Sequence, residues 1–164
     1  MIVISDTSPL NYLVLIQEID LLQKLFGKVI IPQAVFDELH KNRTPAAVSA
    51  WIDSASSWIE IRQASNVDST LTLGSGECEA ISLAQELNAD LILLDDRKAR
   101  KIAIERGLAV AGTLNILEAA AKQGLVDLPT SFQALQQTNF RVSDDLLQEI
   151  LKRNITGQKN TSNN

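Results

Sequence analysis

The chain has 164 residues, 45% hydrophobic and 21% charged, which fits one folded domain with a single core. One cysteine, Cys78, excludes an intrachain disulfide framework and a cysteine-based zinc site. The lone histidine, His40, excludes histidine-dependent triads unless it is itself the base.

The net charge of −5 argues against a nucleic-acid partner until the charges are placed. Five basic residues, Arg97, Lys98, Arg100, Lys101 and Arg106, fall within ten positions. Binding is decided locally, over about a Debye length of ~8–10 Å. The opening MIVISDTSPL carries no basic segment ahead of an apolar run, and no apolar run approaches the ~18 residues that span a bilayer. A cytoplasmic protein without a membrane partner is the expectation.

Ile2–Ser5 reads as a buried strand ended by an Asp-Thr-Ser-Pro turn, with Pro9 opening a helix at its first position. Helical spacing returns over Ile19–Phe26, with Gly27 as its stop, and Lys28–Ile31 is a second short strand. Pro32 starts a helix containing Val35, Phe36 and Leu39. A further helix is expected over Pro45–Ala55 and a strand at Trp58–Arg62. Ala64–Ser75 is polar and aperiodic, a loop. Gly76–Leu87 is an amphipathic helix, Leu91–Leu94 a strand, Arg97–Arg106 a helix stopped by Gly107, and Leu108–Ala111 a last strand. Thr113 is the expected N-cap of a helix through Lys122. Helices near Ser131–Thr138 and Ser143–Lys152 form a helical extension from about residue 129. The domain is expected to span 1–154, with a polar, disordered tail at 155–164.

Apolar strands alternating with helices imply an α/β fold, a three-layer α/β/α arrangement around a mainly parallel sheet. Ligands in such folds sit beyond the carboxyl ends of the strands. Asp6 follows the first strand and Asp95–Asp96 follow Leu91–Leu94, so they share that edge. On the helix after Gly76, Glu77 lies roughly 50° from the centre of the apolar face and Glu79 roughly 110°. Glu77 is therefore expected to face the sheet edge and Glu79 to face solvent. Glu38 flanks the Val35–Leu39 face, but spacing alone does not bring it to the other acids. Two carboxylates ~5 Å apart at an effective dielectric of ~20 repel by ~3 kcal/mol. Such a group takes up protons or binds a cation, and all-oxygen ligands suit Mg²⁺ or Mn²⁺.

Each acid also has a bland reading. Asp6 can cap the helix behind it, Glu77 can be a favourable first-turn charge, and Asp95–Asp96 can cap the helix after them. The basic run can be a solvated helix face.

The segments ISDTSPLNYL (4–13), VIIPQAVFDEL (29–39), GSGECEAISLA (74–84), LILLDDRKAR (91–100) and VAGTLNIL (110–117), in this order, resemble a PIN-domain protein of the short, toxin-like prokaryotic subgroup. The resemblance implies Mg²⁺- or Mn²⁺-dependent endonucleolytic cleavage of RNA. It also implies a toxin of a toxin–antitoxin pair, a homodimer and a cognate antitoxin as partner. The family's four acids fall on Asp6, Glu38, Glu77 and Asp96, with Thr7, Ser8 and Thr113 as supporting polar neighbours. Two positions depart from the pattern. The third acid is commonly Asp, and here Glu77 has Glu79 two residues away. The fourth commonly follows a Thr, and here Leu94 precedes Asp95–Asp96, which leaves Asp95 as a second candidate ligand. Arg97, Lys98, Arg100 and Lys101, with Lys41 and Arg43, are candidates for holding the RNA backbone. The alternative function is a PIN-like module that binds RNA or a protein without cleaving.

Overall fold

The structure, a computed structural model, describes residues 1–54 and 57–161. It divides into two compact units, Met1–Thr113 and Leu114–Asn164.

The first unit is built on five strands: β1 (Val3–Ser5), β2 (Val29–Pro32), β3 (Ile59–Arg62), β4 (Leu91–Leu93) and β5 (Val110–Ala111). They form one sheet in the order β3-β2-β1-β4-β5, and every pairing is parallel. Continuous apolar runs dictate this. β1 and β2 are buried at every residue, as strands covered on both faces must be. The chain leaves β1 in one direction to reach β2 and later returns to its other side with β4. The topological switch point is therefore the gap between β1 and β4.

Helices flank the sheet. α1 (Thr7–Leu15) follows β1 directly, and α2 (Leu21–Phe26) ends at Gly27, whose φ of 77° is the left-handed stop expected of it. α3 (Gln33–Glu38) and α4 (Ala46–Asp53) lie between β2 and β3; the expected extension of α4 to Ala55 falls outside the described residues. α5 (Ser75–Glu86) packs across β2, β1 and β4 as well as on α3. Its Ala80, Ile81, Leu83 and Ala84 join Ile4, Ile92 and Leu94 in the core. α6 (Arg97–Glu105) follows β4.

Two details differ from expectation. α1 begins at Thr7, so Pro9 is its third residue, not its first; this is tolerated because first-turn N–H groups lack helical acceptors anyway. Thr113 is the first residue of α7 (Thr113–Lys122) rather than its cap, because its hydroxyl donates to Asp95.

The second unit holds the remainder of α7, then α8 (Leu128–Gln136) and α9 (Asp144–Thr161). Asp127 caps α8 by accepting from the Thr130 backbone N–H at 3.2 Å. α8 packs on α9, and Arg153 of α9 holds Glu118 of α7 through two nitrogens, Nε at 2.7 Å and Nη2 at 2.6 Å. The tail expected to be disordered from residue 155 is helical to Thr161, and 162–164 lie outside the described residues. Extending an anchored helix needs no new nucleation, so a polar sequence continues what Leu147 and Ile150 begin. Among the described residues, no helix is long and apolar enough to cross a membrane.

Candidate metal centre

Asp6 stands at the end of the central strand, its backbone N–H donating to Leu93 O of β4 at 3.0 Å, so it sits at the switch point. It occupies the N-cap position of α1, yet its side chain makes no capping hydrogen bond. The carboxylate is buried, at 3% exposure, and its Oδ1 has no hydrogen-bond partner. The capping role therefore does not explain this residue. Burial first, then the charges of Glu77, Glu38 and Asp95, push its pKa from the ordinary 3.8 up to about 8, against the opposing Thr7 backbone N–H.

Glu38 and Glu77 complete the wall. Together with Asp6, Thr7, Ser8, Asn11, Tyr12 and Gly74 they line a cavity of about 290 Å³. Glu38 ends α3 and meets the start of α5. Its Oε1 accepts from the Gly76 backbone N–H at 2.9 Å and from Ser75 Oγ at 3.3 Å, and its Oε2 accepts from Thr7 Oγ1 at 2.5 Å. A carboxylate over a helix N-terminus is favourably placed. The approach needs glycine at 76, where a Cβ would stand 2.7 Å from Glu38 Oε2. Glu77, in the first turn of α5, accepts weakly from the Gly74 backbone N–H at 3.3 Å. Its pKa is raised by burial and then by the charge of Asp96, with Glu38 adding to the effect and Gly74 and Lys98 opposing it.

The two rival pairs differ in their surroundings. Glu79 does not face solvent as expected: it is 5% exposed, accepting from the Ala34 N–H at 2.9 Å and the Ala64 N–H at 3.0 Å. α3 packs against this side of α5, so Glu79 satisfies an orphan amide in the first turn of α3 and one in the loop after β3. Asp95 is equally engaged. It accepts from Ser8 Oγ at 2.9 Å, the Thr113 backbone N–H at 2.7 Å and Thr113 Oγ1 at 2.7 Å. Gly112 makes room for it, since a Cβ there would meet Arg100 Nη1 at 2.6 Å and Asp95 Oδ1 at 2.8 Å. Asp96 is exposed, and its Oδ2 caps α6 by accepting from the Ala99 N–H at 2.9 Å. It is outside the cavity wall and reaches the group through its charge on Glu77.

The structure thus brings Asp6, Glu38 and Glu77 to one cavity, with Thr7 and Ser8 beside them. Thr113 stands behind Asp95. Among the described residues, no three His, Cys, Asp or Glu side chains are close enough together to hold an ion as they stand. The donor set nonetheless fits a hard cation: every candidate ligand is a carboxylate oxygen, and the deepest one is buried without a partner. Sequence reasoning missed Asn11 and Tyr12, and spacing alone missed the reach of Glu38, which the resemblance had placed in the site. A glycine in the first turn of α5 was the available sign of that last contact.

The basic run divides. Lys98 Nζ donates to Thr72 O at 2.8 Å and Thr72 Oγ1 at 2.7 Å, Arg100 Nη1 to Leu94 O at 2.9 Å, and Arg106 to Asp68 and Gln85. Arg97, Lys98 and Lys101 are exposed, as are Lys41 and Arg43.

A parallel sheet with carboxylates gathered at its switch point defines the class: an α/β protein with an acidic, oxygen-only site. The family model for the PIN domain matches residues 2–155, and the chain belongs to this family, a nuclease superfamily whose members generally use divalent metals. A solved structure of a PilT N-terminus domain protein from the hyperthermophilic archaeon Sulfolobus solfataricus is similar in fold, with a TM-score of 0.54 and 21% identity over 73% of this chain and 93% of that one. No curated protein matches the chain.

Proposed function

We propose that the protein is a Mg²⁺- or Mn²⁺-dependent endoribonuclease. The observation that carries this reading is the buried, unpartnered Oδ1 of Asp6, walled in with Glu38 and Glu77. Asp6, Glu38, Glu77 and Asp96 are the residues to hold the cation, directly or through water. The cation supplies charge neutralisation and an activated water for phosphodiester hydrolysis. Thr7 fixes the rotamer of Glu38, while Ser8 and Thr113 hold Asp95, which locks the β1 and β4 carboxyl ends together. Arg97 and Lys101, exposed in the first turns of α6, suit sequence-independent contacts with the RNA backbone. A toxin role, with a cognate antitoxin as partner and a homodimeric assembly, is part of the proposal and rests on the resemblance of the five motif segments.

A second reading, a PIN-like module that binds without cleaving, is favoured by the exposed, cap-engaged Asp96 and by Leu94 at the usual Thr position. Cleavage of a mixed RNA pool with Mn²⁺ separates the two, comparing wild type, Asp6→Asn, Asp96→Asn and an EDTA control. The nuclease reading expects loss of cleavage in both variants and in EDTA. Folded, cation-loaded wild type that cuts no RNA favours the binding module, and cleavage surviving both substitutions refutes the site.

A further inference from the structure

The cavity that holds the carboxylates is also lined by uncharged polar and aromatic residues. α1 buries Pro9, Leu10 and Leu13, while Ser8, Asn11 and Tyr12 lie at helical spacing on its opposite face and line the cavity. Both Asn11 and Tyr12 are half-buried, and Tyr12 is the single tyrosine of a chain with 4% aromatic residues. Tyr12 therefore lies on the face of α1 opposite Pro9, Leu10 and Leu13, where it lines the cavity. At ~1.5 Å of rise per residue it stands about 9 Å along the helix axis from Asp6.

The lining offers two kinds of chemistry. The carboxylates suit a cation and, through it, a phosphate. Tyr12 and Asn11 offer a π-face and an amide able both to donate and to accept, the two groups that recognise an unpaired base. A volume of about 290 Å³ is at the low end of ligand pockets, which run ~300–1,000 Å³, and suits one unit of a chain rather than a large cofactor.

We propose that Asn11 and Tyr12 form a nucleobase subsite, in which the Tyr12 ring stacks on the base next to the scissile phosphate. This rests on the ribonuclease reading above. Stacking against a side chain is tolerant of base identity, so the subsite selects unpaired RNA over duplex rather than a particular sequence.

The test is a cycle of protein and substrate changes. A labelled single-stranded RNA oligonucleotide is made with one abasic residue moved through successive positions, and kcat and KM are measured with Mn²⁺ for wild type, Tyr12→Phe and Tyr12→Leu. In wild type and Tyr12→Phe, an abasic residue flanking the cleavage site raises KM roughly 5- to 100-fold, with a smaller effect on kcat. In Tyr12→Leu the intact RNA already shows the raised KM, and the abasic residue adds nothing further. If the abasic penalty is as large in Tyr12→Leu as in wild type, the subsite is wrong and the ribonuclease reading stands. If Tyr12→Leu weakens every oligonucleotide alike and keeps the penalty, the ring supports the fold instead, and the subsite is again overturned. If wild type cuts none of the RNAs, the ribonuclease reading falls and the subsite with it.

Discussion

Asp6→Asn isolates the cost of burying a carboxylate that has one oxygen unpartnered. The carboxyl titrates near 3.8 in an unfolded chain and near 8 in the folded one. Between those values the folded state holds a proton that the unfolded state has released, so stability falls as pH rises. One proton corresponds to about 1.4 kcal/mol per pH unit, so the metal-free wild type loses roughly 2–3 kcal/mol at this position between pH 5 and pH 7. The loss levels off above about pH 8, where both states are ionised. Asparagine does not titrate, so the variant gains on wild type by the same amount over that window. Urea unfolding in EDTA, followed by emission from Trp51 and Trp58, reports the first unit, which contains both rings. A divalent cation offsets this shift: at a hundred times its dissociation constant it stabilises wild type by about 2.7 kcal/mol and the variant far less. A stability gap that stays constant between pH 5 and pH 7 would refute the reasoning, because Asp6 would then be ionised throughout.

Three further outcomes follow from other contacts. Gly76→Ala places a Cβ against the Glu38 carboxylate and displaces it, so RNA cleavage should fall about 10- to 100-fold while the urea midpoint moves little; unchanged cleavage would remove Glu38 from the site. Glu79→Ala strands the Ala34 and Ala64 amides, and should lower the stability of the first unit by roughly 2–5 kcal/mol, with cation affinity per folded molecule preserved in calorimetric titration. Asp95→Asn should weaken Mn²⁺ binding less than Asp6→Asn does. An equal or larger loss of affinity would make Asp95 a ligand instead of the brace between Ser8 and Thr113.

The strands were legible because parallel sheets bury both faces and so write themselves as unbroken apolar runs. Strand direction then placed Asp6 and Asp95–Asp96 on one edge before any contact was known. Other features depend on contacts between distant parts of the chain. Glu79 was misread because helical periodicity weighs only apolar positions, whereas this carboxylate is buried by amides 45 and 15 residues away in sequence. Glu38 reaches the site because α3 ends where α5 begins, which no spacing within either helix encodes. The capping reading of Asp96 proved structurally real, and its place in the proposed site rests on its charge beside Glu77. Lys98 and Arg100, expected to contact RNA, also donate to the backbone carbonyls of Thr72 and Leu94, contacts between distant parts of the chain that the basic run does not encode; Lys98 stays exposed.

The central position of β1 has a consequence for the protein's synthesis. Its partner on one side, β2, follows within about thirty residues, but its other partner is β4, and Asp6 is not enclosed until Leu93 accepts its N–H. At a ribosomal rate of ~5–20 residues per second, the stretch from Asp6 to Asp96 takes roughly 5 to 20 s to translate. For that interval the first acid to emerge has no cavity around it, and its carboxyl behaves as it would in water. On the proposed ribonuclease reading, a chain that cuts RNA is made by a machine built of RNA, and this topology keeps the candidate site unassembled until β4 has been translated.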